Sequence, residues 1–373
     1  MASLFLLLVP ASAQLLYSLT STPSSTISSC NAFMCDSNPG SSQKIFETCL
    51  KYSNGTFLLN PCNYPDRVNN FCSYTDDPSS TPVNCQRVNT LYPQLYPGEE
   101  PCFSIYQCMS QMCELGKCIA GGVGVSCSSN SDCDVGFYCN SNSTVCTQLI
   151  FPGSTGCTQD SDCVTSAGCN KNSTDATGKC ETYFSIPVGK PVKNCDSYVS
   201  MLCTTGQCFN ATNSYEYTCV DAFESYATQP QKCSTQLDCN SKSVTKSGNL
   251  YSDCSCGYNS AKQAYCNPML GDSVSLNYLK NLKDWISSVK IHTCHTDRRF
   301  NQLCQKDWEY EKYDALMVTQ YAYSSYAKIQ DNDECVKKIY TYEYWDFVAD
   351  YDDDTDNAST SLLIGLALLL TSI

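Results

Sequence analysis

The residues with the richest chemistry are His292, Cys294 and His295, in the run His-Thr-Cys-His. They are the chain's two histidines with a sulfur between them, so zinc is the chemistry to weigh. A structural zinc needs four ligands, usually as two spaced pairs, and no second pair is evident. The pair therefore reads as a surface feature at a helix end. Cys254-Ser-Cys256 is C-x-C, lacking the two-residue spacing and βαβ surroundings of a redox dithiol. A Cys/His nucleophile would need a free thiolate beside a base. No G-x-S-x-G, H-E-x-x-H or phosphate loop is present. Asp132, Asp162 and Asp238 each precede a cysteine. Calcium ligation needs six to eight converging oxygens, and one aspartate per site is too few. They read as turn caps, with the carboxylate serving local backbone. No metal, cofactor or catalytic set is implied.

Cysteine chemistry dominates instead. There are 30 cysteines in 373 residues, about 8%, near the level of disulfide scaffolds. The 42% hydrophobic share counts cysteine, and 26 tyrosines make up much of the rest. A single large aliphatic core is not expected; several small cross-linked units are. The net charge of −14 argues against nucleic acid as a partner.

The ends indicate the compartment. Met1–Val9 is apolar and Ala11-Ser12-Ala13 offers small-x-small cleavage, which reads as a signal peptide over 1–13. Leu362–Leu370 follows the small residues Ala358 and Ser359, with no basic stop after it. That pattern matches a GPI signal with attachment at Asn357, although the Thr360-Ser361 spacer is short. Seven acids from Glu343 to Asp356 read as an extended stalk. In an oxidising compartment the cysteines pair. The sequons at Asn54, Asn142, Asn172 and Asn210 mark N-glycosylation.

Between the ends lies a tandem array. Residues 14–101 hold Cys30, Cys35, Cys49, Cys62, Cys72 and Cys85, an even set able to close on itself, then a Tyr/Pro-rich linker. From 102 to 266 a repeat starts at Cys102, Cys127, Cys157, Cys195 and Cys233. The first four units are Cys102/Cys108/Cys113/Cys118, Cys127/Cys133/Cys139/Cys146, Cys157/Cys163/Cys169/Cys180 and Cys195/Cys203/Cys208/Cys219. Gly/Pro segments such as Pro97-Gly98, Pro152-Gly153 and Pro187–Pro191 precede units and read as hinges. The fifth unit has five cysteines, Cys233, Cys239, Cys254, Cys256 and Cys266. Cys294, Cys304 and Cys335 are three more. If earlier blocks are self-contained, parity places a disulfide between these two odd sets.

Residues 267–349 change character. Leu276, Leu279, Leu282, Ile286 and Val289 recur at helical spacing after Asp272-Ser273. Further helices are expected over 307–329 and 333–348, with aromatic stripes as core faces. The fold class expected is thus small disulfide-rich modules, short β-hairpins and irregular loops in tandem, followed by an α-helical C-terminal region. Residues 350–373 form the stalk and lipid signal.

The whole layout resembles the cysteine-rich, GPI-anchored surface proteins of ciliated protozoa. Cys127-Ser-Ser-Asn-Ser-Asp-Cys133-Asp-Val-Gly-Phe-Tyr-Cys139 resembles the N-terminal cysteine-rich region of the Dickkopf family, and Cys157-Thr-Gln-Asp-Ser-Asp-Cys163 repeats part of it. That local likeness implies a compact disulfide knot of short strands. Nothing matches the second Dickkopf domain, so the antagonist activity is not carried over. The expected function is a non-enzymatic coat glycoprotein, on the outer plasma-membrane leaflet through its lipid and beside neighbouring coat proteins. A surface adhesin or receptor is the alternative, and a secreted enzyme a third.

Overall fold

The computed structural model describes residues 23–26, 29–32, 34, 48–53, 56–61, 70–72, 85–87, 94–100, 102–172, 174–193, 199–209, 217–221, 226, 228–242, 249–288, 294–299 and 310–331. They belong to two compact units. One comprises Met1–Cys30, Gln94–Tyr258 and Lys262–Asp331; the other comprises Asn31–Pro93, Asn259–Ala261 and Asn332–Ile373. In the second unit, Thr48–Ser53 pairs antiparallel with Thr56–Pro61, and Asn70–Cys72 with Cys85–Arg87.

The first unit is built from small antiparallel hairpin sheets in tandem, joined by many disulfides. Each hairpin carries the third and last cysteines of a repeat directly opposite one another: Cys113↔Cys118, Cys139↔Cys146, Cys169↔Cys180, Cys208↔Cys219 and Cys254↔Cys266. Opposed residues leave a hairpin on one face. There they meet the first and second cysteines, which flank a turn of 3₁₀ helix such as Asn130–Asp132 or Asp160–Asp162. The bonds therefore run from first to third and from second to last. They are Cys102–Cys113 with Cys108–Cys118, Cys127–Cys139 with Cys133–Cys146, and Cys157–Cys169 with Cys163–Cys180. Cys203–Cys219 follows suit in the fourth repeat, and Cys233–Cys254 with Cys239–Cys266 in the fifth.

The Gly/Pro segments are not hinges. Tyr96–Glu99, Gly122–Val125, Phe151–Ser154 and Pro187–Lys190 are turns, each closed by its first carbonyl accepting from its fourth N–H. Gly98, Gly124, Gly153 and Gly189 occupy the third position at φ +94°, +82°, +89° and +81°. Turns with positive φ at that position need a residue without Cβ. Their N–H groups donate to the carbonyls of Cys118, Cys146, Cys180 and Cys219 at 2.7–2.8 Å. Just upstream, Leu95, Gly121, Ile150 and Ile186 form parallel bridges to the second cysteines. A repeat thus begins about seven residues before its first cysteine, and what sequence places between modules is part of the module.

The second and third repeats also share a core. Tyr138 and Leu149 of the second pack with Val164, Ala167 and the cysteines of the third. The Asn130 amide donates to Ser161 Oγ at 3.2 Å, and the Lys193 N–H donates to Asn170 Oδ1 at 2.8 Å.

Helix α1 spans Ser273–Ser288 and buries Ser275, Tyr278, Leu282, Trp285 and Ile286. Asp272 precedes it as expected, but its carboxylate reaches backwards, to the N–H groups of Met269 (2.8 Å) and Tyr226 (3.1 Å) and the Gln229 amide (2.9 Å). The buried face is rotated from the predicted one, because Tyr278 and Trp285 outcompete Leu276, which is 47% exposed. Helix α2 spans Tyr310–Ser324, shorter than the expected 307–329. Tyr278 stacks on Tyr323 between them, with centroids 5.0 Å apart. The helix expected over 333–348 lies outside the described residues.

The predicted bond between the fifth repeat and Cys294, Cys304 or Cys335 is not formed. Cys256, the extra cysteine, pairs with Cys30, 226 positions upstream. The premise that the N-terminal six close on themselves fails, and with it the parity argument.

Candidate functional site: a return segment clamped across the repeats

Residues 294–299 run back over the first three repeats, held by one side chain after another. His295 is fully buried, not a surface residue. Its Nε2–H donates to the Asn130 carbonyl at 2.9 Å, and its Nδ1 accepts from the Asp297 N–H at 3.2 Å. Both ring nitrogens are thereby assigned, and the assignment is the neutral imidazole. Burial pushes its pKa below the ordinary value; Asp297 and the backbone carbonyls facing it pull the other way, and Arg298 adds to the depression.

The ring lies 5.0 Å from Tyr96 of the first repeat, and the Arg298 guanidinium sits over the same tyrosine at 4.5 Å. Arg298 also pairs with the buried Glu99 carboxylate at 3.8 Å. Asp297 accepts from the Asn130 amide at 2.8 Å in the second repeat. The Thr296 hydroxyl donates to the Ser161 carbonyl in the third. Arg299 is buried and donates to the Ala167 carbonyl at 3.2 Å.

Further along, α1 and the segment after α2 hold the remaining repeats. The Lys283 ammonium donates to the Thr204 carbonyl at 2.6 Å and lies 5.1 Å from the Phe184 ring centroid. On the fifth repeat, the Tyr258 N–H donates to the Lys328 carbonyl at 3.0 Å, Tyr265 donates to Asp331, and Lys232 pairs with Asp331 at 3.6 Å. The segment expected to be a base beyond the array is thus laid along it.

The aspartates before the second cysteines act as caps. Asp132 accepts from the N–H of Ser128 (2.7 Å) and Ser129 (3.0 Å), Asp162 from Thr158 (2.6 Å) and Gln159 (3.2 Å), and Asp238 from Ser234 (2.7 Å) and Thr235 (3.0 Å). Gln107 does the same in the first repeat, toward Phe103 (2.7 Å) and Ser104 (3.0 Å). A neutral amide at this position shows that the repeat needs a hydrogen-bond acceptor there, not a charge.

Among the described residues there are four sulfur triplets whose members lie within 4.8 Å of one another, for example Cys127, Cys133 and Cys146. All of these sulfurs are in disulfides, and the convergence comes from two bonds lying side by side; a disulfide sulfur is not the thiolate that metals bind. No free cysteine occurs among the described residues. Cys294 is buried and disulfide-bonded. Asn142 is exposed and Asn172 half-buried, both in hairpin turns. His292, Cys304, Cys335, Asn54, Asn210 and Asn357 lie outside the described residues. Among the described residues no helix is long and apolar enough to cross a membrane.

Sequence reasoning missed the clamp, though it left a trace. Arg298-Arg299 is a pair of fixed cations in a chain of net charge −14, and such a pair has acids and carbonyls to find. Comparison with protein-family models, with curated proteins and with solved structures finds no match for the chain.

Proposed function

We propose that the protein is a non-enzymatic, GPI-anchored glycoprotein of the outer cell surface, including the ciliary membrane. The observation that carries this reading is the oxidised cysteine framework repeated through the array. Disulfides at this density belong to secreted and cell-surface chains, where no cytosolic reductant reopens them. The sequence at the two ends supplies the route and the anchor. The mechanism is physical. Crossed disulfides constrain each repeat against unfolding, the return segment ties repeats into one body, and acidic charge with glycans keeps the layer hydrated. In this reading helices α1 and α2 belong to an α-helical C-terminal region that precedes the acidic stalk. The partners are the outer leaflet, through the lipid, and neighbouring coat proteins.

A second reading, an adhesion or receptor module, is favoured by one observation. In the first repeat Phe103 (68%), Tyr106 (79%) and Leu115 (100%) are strongly exposed. Exposed apolar clusters mark contact surfaces.

The anchor is tested on intact cells with phosphatidylinositol-specific phospholipase C. The protein is expected in the supernatant, ending near Asn357. Retention on the cells, with peptides beyond Ser361 detected, overturns the reading.

A further inference from the structure

The first repeat shares its backbone with the others and differs in what it shows to solvent. Between its first two cysteines it reads Phe103-Ser-Ile105-Tyr106-Gln107. The second repeat reads Ser128-Ser-Asn130-Ser131-Asp132 there, and the third Thr158-Gln-Asp160-Ser161-Asp162. All three runs make the same single turn of 3₁₀ helix. The apolar side chains of the first run are not spent on its own core, since Phe103, Ile105 and Tyr106 are all exposed. The Cys102 N–H donates to the Gly116 carbonyl at 2.7 Å, which sets Phe103 beside the turn that carries the fully exposed Leu115. No charged residue lies between Glu100 and Glu114.

That turn has a defined use deeper in the array. Strand Phe137–Asn140 of the second repeat packs on the turn Asp160–Asp162 of the third, and Ala167–Asn170 of the third packs on Val199–Leu202 of the fourth. The 3₁₀ turn is thus where a repeat receives the hairpin of the one before it. Asp160 and Ser161 are half-buried and Asp162 is buried, whereas Ile105, Tyr106 and Gln107 are exposed. The described residues of this unit that precede Gln94 are held to the fifth repeat instead, by Cys30–Cys256 and by the Ser24 N–H donating to Gln236 Oε1 at 2.8 Å. The other end of the array is already covered. On the fifth hairpin Tyr265 and on the segment after it Met269 are fully buried, and Tyr265 donates to Asp331.

We propose that the first repeat is a self-association surface, through which two copies of this chain meet head to head over Phe103, Ile105, Tyr106 and Leu115. The contact continues the mode by which repeats already join, using the receiving turn that has no repeat before it. Two chains of net charge −14 repel, and they can close only where charge is absent, as it is across this face. Head-to-tail addition would need the fifth hairpin, which is covered, so the face pairs with itself in a two-fold contact and association stops at two. The inference rests on the coat reading and makes its neighbouring protein a second copy; the adhesion reading would give the same residues to a foreign ligand.

The full-length protein is taken from the cell surface by phospholipase, or by mild detergent where the lipase does not act, and its mass is followed by sedimentation velocity as concentration rises. One module's face is small, so the mass is expected to double over roughly 1–100 μM and then hold. Phe103→Ser with Tyr106→Ser installs the second repeat's residues at exposed positions, and unchanged disulfides and circular dichroism check that the fold is kept. Dimer affinity should then fall at least about tenfold. Amide exchange over 103–107 should slow with concentration in the parent protein and not in the double variant. A single chain at every concentration, a dimer indifferent to the double substitution, or growth past two chains overturns the proposal. The lipase reads the coat account separately: a released protein that stays monomeric leaves that account standing without the dimer, and a dimer that only detergent extracts does the reverse.

Discussion

His295 is where a side chain's protonation state and the joining of repeats meet. Its buried ring serves one carbonyl and one N–H, and only the neutral form can do both. The charged groups around it are Asp297 and Arg298 on its own segment and, paired with Arg298, Glu99 on the first repeat; the neutral Tyr96 ring packs against it. Because the folded pKa is lowered, the unfolded chain takes up the proton first. The clamp's contribution is complete above the ordinary histidine value, about 6.5, and is lost as pH falls through the lowered folded value. Taking the native protein from about pH 7.5 to about pH 5 should lower its urea stability through this residue, by at most about 2 kcal/mol, the linkage ceiling for one proton that the unfolded chain takes up near 6.5. His295→Gln, which cannot titrate, should be weaker at neutral pH and flatter between the two. Parallel pH profiles for the two proteins would remove the imidazole from the account.

The turns before each repeat make a similar point about local elements. Gly153 lies at φ +89° with open space where a Cβ would go, so only backbone strain opposes a side chain there. Gly153→Ala should cost about 1–2 kcal/mol, the penalty for a Cβ in the left-handed region. Gly122 also has open space but no positive φ, so Gly122→Ala should be neutral. Chemical denaturation of the two variants checks this, and equal effects would return the segments to the role of hinges. Sequence made the cysteine period, the hairpins and the capping aspartates legible, because each depends on neighbours a few positions away. It placed α1 within a residue or two, but turned its buried face wrongly. Aliphatic spacing pointed to Leu276, whereas Tyr278 finds a stacking partner on Tyr323, 45 positions on, which periodicity cannot see. The turns read as hinges because Gly and Pro mark bends whether or not the bend is held. What holds these is the fourth cysteine's carbonyl, 20 to 30 residues downstream.

The repeats and the chain up to Asp331 belong to one compact unit because contacts at great sequence distance close on each other. Asn130 and His295 are 165 positions apart, Cys30 and Cys256 226. Nothing local in the sequence announces such pairs; even cysteine parity misled, since it assumed that the N-terminal block closes by itself. With Cys30 committed to Cys256, counting within the two compact units gives a different expectation. Beyond the bonds already given, Cys195, Cys208, Cys294 and Cys304 remain in one unit, and Cys35, Cys49, Cys62, Cys72, Cys85 and Cys335 in the other, both even sets. The pairing itself is the most direct test of the whole account. Native protein, alkylated and digested without reduction, is mapped by mass spectrometry. The crossed pattern predicts linked peptides Cys127–Cys139, Cys133–Cys146, Cys157–Cys169 and Cys163–Cys180, the long link Cys30–Cys256, and no alkylated cysteine. Sequential pairs such as Cys127–Cys133 with Cys139–Cys146, or a Cys30 bonded within the N-terminal block, would contradict it.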